Sequence, residues 1–193
     1  MATAREPQKD NGDSVETTRQ RLKISKAYLL GALHDATERR LTYRISQKSK
    51  KYVTLISLGI KNLGYKAWVY REGKNRQVYV VEFSKFWLKN TKLNTKKDKL
   101  DYVRGYFDTE GGISKSEKVR YYIYFAQKNL ADLKKVKQIL EENNIACGKT
   151  HNPSKLVDPN YWRFYIRKQS YLDFAKMVGS SHPEKYRYLR MKR

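Results

Sequence analysis

The chain has 193 residues with one cysteine and three histidines, and its 42 Lys and Arg residues far outnumber its 19 Asp and Glu residues. The net charge of +23 exceeds what solubility needs and predicts a polyanionic partner, for which nucleic acid is the default and a basic membrane-surface protein is the competing interpretation. The single cysteine, Cys147, excludes an intramolecular disulfide and a cysteine-built zinc site. No apolar run reaches the roughly 20 residues of a membrane helix, so we expect an intracellular protein without a membrane segment.

The N-terminal part divides into a polar arm, a first helix and a strand. Residues 1–22 are polar, mixed in charge and without periodicity, which predicts a disordered arm. Apolar residues from Lys23 onward recur at helical spacing and predict a helix ending near Asp35. Residues 41–48 alternate as a strand, either alone or in a hairpin whose first strand is very short. One strand face carries Leu41, Tyr43, Ile45 and Gln47, and the other carries Thr42, Arg44, Ser46 and Lys48, polar types that fit a sheet lying on DNA or any solvated sheet.

Residues 49–90 alternate between helical and strand periodicity. A glycine after a helical run is typical of a helix end, and two alternating segments around a polar turn are typical of a hairpin. The patterns predict, in order, a helix at 49–63 that stops at Gly64, a hairpin of segments 67–71 and 76–83, and a short apolar helix at 86–88.

The order of elements then repeats after a lysine-rich linker. Six lysines fall between residues 85 and 99 with only Asp98 opposing them, and we place the linker at residues 91–100. The following patterns predict a helix from 102 that stops at Gly111 and Gly112, a short segment at 113–115, a turn, a strand at 119–127, a helix at 130–143, a hairpin of 146–151 and 161–168, a closing helix at 171–178 and a basic C-terminal tail at 181–193.

An internal duplication underlies this repeated order. Gly31 and Gly105 occupy the same place in the two halves, because each follows a tyrosine at the same short distance in its predicted helix. Gln47 and Gln127 also correspond, and each is followed by a lysine at the end of a predicted strand. A matching helix, strand and Gln-Lys pair in both halves is a fairly specific sign of a repeat.

The segments at 28–37, Tyr-Leu-Leu-Gly-Ala-Leu-His-Asp-Ala-Thr, and at 102–112, Tyr-Val-Arg-Gly-Tyr-Phe-Asp-Thr-Glu-Gly-Gly, resemble the paired LAGLIDADG motifs of single-chain homing endonucleases. The resemblance covers about residues 24–180. It implies an α/β (α+β) monomer of two pseudo-symmetric αββαββα halves, at 23–90 and 101–180. Its motif helices would pack at the interface through small residues, and its antiparallel sheets would form a DNA-binding saddle.

The resemblance also implies where the metal-binding acids lie, five residues after each motif glycine. Glu110 fits this position in the second motif, but the first motif has Ala36 there and its acid, Asp35, comes one residue early. On an ideal helix one residue corresponds to about 100° of rotation. The first half is also about six residues shorter between its glycine and Gln47. We expect this shortened hairpin to end the helix differently and bring Asp35 to the place of Ala36; the alternative is a degenerate first site.

Two carboxylates suit phosphodiester hydrolysis because Mg²⁺, or another divalent cation such as Mn²⁺, prefers oxygen ligands and supplies activated water. We therefore predict Asp35 and Glu110 as metal ligands and catalytic residues. Asp108 is expected to be a packing or helix-end acid, and His34 to pack or cap at the helix interface. Further catalytic candidates, which would order water or offset charge, are Gln47, Gln127, Lys48 and Lys128, with Lys85 and Lys168 as additional candidates for a site lysine.

The predicted function is site-specific, metal-dependent double-strand cleavage of DNA by a free-standing, intron-encoded homing endonuclease. Lysine and tyrosine richness is compatible with a thermophilic, archaeal source. The alternatives are a cleavage-deficient nucleic-acid-binding protein, an intron RNA maturase and, more remotely, a transcription-factor-like DNA binder. Candidate DNA-binding residues, chosen as types that grip phosphates or read base edges, are Arg44, Ser46, Lys66, Arg76, Gln77, Lys115, Arg120, Tyr122, Arg163 and Arg167.

Overall fold

The computed structural model describes residues 23–116 and 118–191. Its first half starts at Ser25, whose hydroxyl accepts a hydrogen bond from the Tyr28 backbone N–H and so caps the first helix. The predicted N-terminal arm lies outside the described residues. The first half contains α1 (Lys26–Ala32), a 3-10 turn (Leu33–Asp35), β1 (Ala36–Glu38), β2 (Thr42–Gln47), α2 (Lys50–Asn62), β3 (Ala67–Arg71), β4 (Tyr79–Ser84) and a 3-10 turn (Phe86–Leu88).

The second half starts at Thr95, which forms a reciprocal capping box with Asp98. This cap begins the helix at Lys96, so the second half of the predicted linker, 96–100, is helical. The half contains α3 (Lys96–Glu110), β5 (Gly111–Ile113), β6 (Ile123–Gln127), α4 (Leu130–Glu142), β7 (Trp162–Tyr165), a 3-10 turn (Lys168–Ser170), α5 (Tyr171–Met177) and α6 (Pro183–Met191).

Each half packs helices on one face of an antiparallel sheet. The first sheet has the strand order β1-β2-β4-β3 and the second has the order β5-β6-β7. In the first half, fully buried Ile45 and Phe83 pack in one cluster with Ile56 of α2. The second half has its own cluster, which includes Phe125, Phe164, Leu133, Val136 and Phe174. The α/β class, the two halves and the antiparallel sheets agree with the sequence prediction.

The motif helices α1 and α3 hold the halves together by direct backbone contact. A Cβ built on Gly31 would lie 1.9 Å from the Tyr102 carbonyl oxygen, and one on Gly105 would lie 1.9 Å from the Tyr28 carbonyl oxygen. Because no side chain larger than hydrogen fits at either point, the two glycines permit a close helix approach. The two contacts are reciprocal, since Tyr28 stands at the same place before Gly31 as Tyr102 does before Gly105.

The structure differs from the predicted elements at several boundaries. Of the two alternatives for residues 41–48, the structure has the hairpin with a very short first strand, because β1, which pairs with β2, has only three residues. The strand predicted from 119 begins at Ile123, since Val119 is 47% exposed and is not buried in the core. The hairpin partner predicted at 146–151 is reduced to two isolated bridges, at Cys147 and His151. The predicted tail is instead α6, which buries Leu189 in the second core. Within the described residues, no helix has the length and apolar character that a membrane span requires.

Candidate active site

Two carboxylates end the two motif helices. Asp35 is the last residue of the 3-10 turn after α1, and Glu110 is the last residue of α3. Each is followed at once by a strand, which starts at Ala36 in the first half and at Gly111 in the second. Asp35, rather than Ala36, therefore occupies the helix-end position that corresponds to Glu110.

The 3-10 turn brings Asp35 to this position although Asp35 follows Gly31 by four residues, whereas Glu110 follows Gly105 by five. From Gly31, one α-helical step and three 3-10 steps carry Asp35 about 7.5 Å along the axis and about 460° around it. From Gly105, five α-helical steps carry Glu110 about 7.5 Å and about 500°. The axial positions agree, and the angular difference falls to about 40° instead of the about 100° expected for a one-residue offset. The connection from β1 to β2 has three residues, against nine from β5 to β6, which is the predicted shortening of the hairpin.

A glutamine accompanies each acid. Gln47, the last residue of β2, donates from Nε2 to Asp35 Oδ2 at 2.5 Å. Gln127, the last residue of β6, donates a hydrogen bond that lowers the pKa of Glu110. Its own carbonyl oxygen accepts the Lys128 backbone N–H at 2.7 Å, which orients the amide. The repeat-matched glutamines thus occupy matching places beside the two carboxylates.

The acids are electrostatically coupled. Burial and, to a smaller extent, the negative charge of Asp35 raise the pKa of Glu110 to about 7, against the opposing effects of Gln127 and Lys185. Loss of hydration also raises the pKa of Asp35, while the hydrogen bond from Gln47 and the charge of Lys185 lower it. Two like charges at one place disfavour simultaneous ionisation, and a divalent cation between them would remove that cost.

Asp108 does not belong to this acid pair. It is 1% exposed, and its carboxylate accepts hydrogen bonds from the Tyr28 hydroxyl at 2.7 Å, the Ser180 hydroxyl and the Ser181 and His182 backbone N–H groups at 2.8 and 3.1 Å. These contacts join α3 to α1 and to the C-terminal segment. The expectation that Asp108 is a packing acid agrees with this geometry.

His34 occupies the repeat position of Asp108 in the first half. Its Nε2 lies 2.7 Å from the Tyr102 hydroxyl, and its Nδ1 lies 3.4 Å from Asp132 Oδ2. The Tyr28–Asp108 and Tyr102–His34 contacts are therefore mates across the repeat, since each joins the motif tyrosine of one helix to the third residue after the glycine of the other. His34 packs at the helix interface, as expected from the sequence.

The lysine with the clearest influence on both acids is Lys185 of α6, which the sequence analysis assigned to a tail. Its ammonium donates to the carbonyl oxygens of Phe107, Asp108 and Gly111 at 2.7, 2.9 and 2.6 Å. A usable signal was present, because Pro183 followed by Glu184 is typical of a helix start. Of the lysines predicted from the sequence, Lys48 is exposed, Lys128 is 3.2 Å from Asp158, Lys85 is 2.6 Å from Glu38, and Lys168 starts a 3-10 turn.

The outer face of the first sheet carries a charged network. Glu82 of β4 accepts hydrogen bonds from the Thr42 and Tyr70 hydroxyls, each at 2.6 Å, and these bonds lower its pKa. The Arg44 guanidinium lies between two carboxylates, with its Nε 3.7 Å from Glu82 Oε2 and its Nη2 3.5 Å from Glu72 Oε1. This predicted DNA-binding arginine is therefore already paired with carboxylates. Of the other candidates in this half, Ser46 is half-buried on β2, whereas Lys66, Arg76 and Gln77 are exposed.

The outer face of the second sheet is aromatic and basic. Arg163 of β7 donates to the Tyr161 and Tyr165 hydroxyls at 2.7 and 3.1 Å, and its guanidinium lies 4.5 Å from the centre of the Tyr124 ring. Tyr122 packs against both Tyr124 and Tyr165, with its ring centre 5.9 Å from each of theirs. Of the remaining candidates, Arg120 is exposed, Lys115 pairs with Glu184 at 2.9 Å, and Arg167 donates to the Cys147 carbonyl oxygen at 3.2 Å.

The chemistry of the helix ends fits a hard divalent cation. Asp35 and Glu110 supply carboxylate oxygens, the ligands that Mg²⁺ and Mn²⁺ prefer. Among residues 23–116 and 118–191, no three or more His, Cys, Asp or Glu side chains gather as a complete metal cage. Two protein carboxylates are sufficient when waters and substrate phosphates complete the coordination of Mg²⁺.

Comparison with known proteins shows what this fold is similar to. Residues 97–179 match the family described as LAGLIDADG-like domain, and no curated protein matches the chain. The structure of I-DmoI in complex with DNA and Mn is 18% identical, with a TM-score of 0.58 over 80% of this chain and 95% of that chain. I-DmoI complexes with target DNA and Mg, and with DNA and Ca, are also similar.

The similarity extends to a second group of proteins. The N-terminal LAGLIDADG domain of DUF199/WhiA is 15% identical, with a TM-score of 0.64 over 82% of either chain. Full-length DUF199/WhiA from Thermatoga maritima is 16% identical, with a TM-score of 0.66 over 90% of this chain and 61% of that chain. Residues 97–179 thus match the LAGLIDADG-like domain family, and the chain as a whole shares its fold with I-DmoI and DUF199/WhiA.

Proposed function

We propose that this chain is a site-specific DNA endonuclease that hydrolyses one phosphodiester bond in each strand of its target. The observation that carries the proposal is the meeting of Asp35 and Glu110 at the ends of two packed helices, each beside a matching glutamine. An approximate twofold relation between the acids suits one cut on each strand of a duplex. The resemblance of the chain to the I-DmoI complexes with DNA and Mn, Mg or Ca supports the same assignment.

Asp35 and Glu110 would hold the cation, which we propose is Mg²⁺ or Mn²⁺ and which supplies an activated water and stabilises the leaving oxygen when bound. Gln47 and Gln127 would orient the acids and water molecules at the two scissile phosphates. The basic and aromatic outer faces of the sheets would contact the duplex, with phosphate contacts setting position and contacts to base edges setting specificity.

The finer assignments belong to the same proposal. The chain would act as a monomer carrying both motifs, as a free-standing homing endonuclease encoded in an intron, and inside the cell. The archaeal, thermophilic source stays a prediction from composition. Lys48 and Lys128 stay predicted catalytic residues, although Lys128 has an ion-pair partner in Asp158.

A second candidate function is nucleic-acid binding without cleavage, either of DNA or, as a maturase, of intron RNA. It is favoured by Ala36, which stands where the family resemblance places an acid, and by the similarity to DUF199/WhiA. This function needs the basic surface but does not need Asp35 or Glu110 to be carboxylates. The two functions are separated by cleavage chemistry and not by affinity.

The test uses DNA in two stages, because the target sequence is unknown. Duplexes with random sequence are first selected for binding in EDTA, and the selected duplexes are then incubated with Mg²⁺. We expect the wild-type chain to cut both strands, and Asp35→Asn and Glu110→Gln to bind equally well and not cut. Asp173→Asn, an exposed acid on α5, is the matched control and should cut normally.

The contrary outcomes are distinct. If the wild type binds but does not cut with Mg²⁺ or Mn²⁺, the binding-only function replaces the nuclease. If Glu110→Gln is inactive and Asp35→Asn is fully active, Asp35 is not a metal ligand and the first site is degenerate.

A further inference from the structure

The C-terminal segment 180–191 is attached to the motif helices rather than to the surface of the second half alone. Ser180, Ser181 and His182 all donate hydrogen bonds to the buried carboxylate of Asp108, two residues before Glu110. The Tyr28 hydroxyl of α1 donates to the same carboxylate. The first residues of the segment are thus fixed at the interface between the two motif helices.

The next contact of the segment is with the helix end itself. The three N–H groups of the Lys185 ammonium are all used, by the carbonyl oxygens of Phe107, Asp108 and Gly111. The last carbonyl groups of a helix lack partners within the helix and carry its partial negative charge. The Phe107 oxygen also accepts the Gly111 backbone N–H, and Gly111 begins β5. Lys185 therefore binds the end of α3 and the start of β5, on both sides of Glu110 in the sequence.

The charge of Lys185 reaches both acids. It lowers the pKa of Glu110 and the pKa of Asp35, in each case against the rise that burial causes. Burial in turn lowers the pKa of Lys185 to about 8, while the negative charges of Asp108, Glu110 and Asp35 oppose that change.

We propose that Lys185 is a positioning residue of the cleavage site, which fixes the last turn of α3 and with it the place of Glu110. The contacts with three carbonyl oxygens would set where the Glu110 carboxylate points. α6 is then a part of the site, although none of its residues belongs to either motif. This inference rests on the proposed nuclease function.

Two variants test this role. Lys185→Gln keeps two N–H donors and Lys185→Arg keeps a cationic group, but neither can direct donors at three oxygens from one nitrogen. Lys176→Met removes an exposed lysine from α5 and is the control. The first measurement is the affinity for the selected DNA in EDTA. The second is the rate at which the bound DNA is cleaved in Mg²⁺.

We expect both Lys185 variants to bind the selected DNA as the wild type does, because neither changes the outer faces of the sheets. The rate at which bound DNA is cleaved should fall about 10- to 100-fold in both, as is typical when a residue that orients metal ligands is changed. A loss of stability alone would lower binding and cleavage together. Lys176→Met should match the wild type in both measurements.

Full cleavage activity of the Lys185 variants overturns the positioning role, and so does an equal loss of binding and cleavage. If Lys185→Gln does not fold, the Lys185→Arg comparison still decides the point. If the wild type does not cleave DNA at all, the proposed function fails and the positioning role fails with it.

Discussion

The two motif helices share their contacts along most of their length and differ at their C-terminal ends. Gly31 and Gly105 approach the opposite backbone equally closely, and Tyr28 and Tyr102 each reach a residue three positions after the opposite glycine. Backbone contact leaves little freedom, so both helices keep the same arrangement where they touch.

Beyond the shared contacts, the two helix ends follow different solutions. The first end tightens into a 3-10 turn and places His34 against Tyr102 and Asp132. The second continues as an α-helix, buries the charged Asp108 and is closed by Lys185. A buried carboxylate needs donors from outside its own helix, and the C-terminal segment supplies them. An imidazole at the matching place in the first half requires fewer partners, and Tyr102 and Asp132 provide them.

The largest expected effect concerns the repeat-matched residues His34 and Asp108. Asp108→Asn should lower the free energy of unfolding by about 3 to 5 kcal/mol, because the donors of the C-terminal segment and Lys185 lose a buried anion. His34→Gln should cost only about 1 kcal/mol, the typical net value of a hydrogen bond. Urea unfolding of both variants measures the difference. Equal losses would show that the two helix ends are energetically equivalent after all.

The next effect tests the part that the helices share. Gly31→Ala and Gly105→Ala should each lower the free energy of unfolding by about 3 kcal/mol, at the upper end for overpacking, because each methyl group would collide with a backbone carbonyl. Gly148→Ala is the control, since its Cβ would meet nothing nearer than 3.4 Å. Thermal unfolding measures all three. A clear difference between Gly31→Ala and Gly105→Ala would refute the reciprocal packing.

The smallest effect concerns Glu110, whose pKa rises from its ordinary value of 4.5 to about 7 in the folded chain. A raised carboxyl pKa means that the folded state binds the proton more tightly, so its contribution to stability is lost as pH rises between those two values. Above about pH 7, Glu110→Gln should be more stable than the metal-free wild type by about 1 to 2 kcal/mol, allowing for solvent screening. Below pH 4.5, the two proteins should have the same free energy of unfolding.

Added Mg²⁺ checks the same prediction from the other side. A cation that binds only the folded state stabilises it, so Mg²⁺ should raise the unfolding temperature of the wild type at high pH and leave Glu110→Gln unchanged. Thermal unfolding in EDTA and in Mg²⁺, at pH values on either side of the transition, measures both effects. Equal stabilisation of the wild type and Glu110→Gln by Mg²⁺ would remove Glu110 from the cation site.

The duplicated architecture could be predicted from the sequence, as could the presence of an acid near the end of each motif helix. The matching places of Gly31 and Gly105, the alternating strands and the paired glutamines are local patterns, and local patterns survive folding because one face of each element must be buried. The spacing between each motif glycine and its glutamine predicted the shortened first hairpin, and the family resemblance predicted Glu110. The place of Asp35 was expected from the shortened hairpin, with a degenerate first site as the alternative, because a 3-10 turn differs from an α-helix in geometry and not in residue type.

Tertiary structure alone decided what lies around the acids. Lys185 lies far beyond Glu110 in the sequence, and no periodicity connects a C-terminal helix with the end of a motif helix. The partners of a buried ammonium or carboxylate are chosen by which chain segments meet, since burial is tolerated only where opposite charges and hydrogen-bond partners converge. Arg44 shows the same limit. Its alternation along the strand predicted a DNA-facing side chain, but only the folded sheet shows that Glu82 and Glu72 lie beside it.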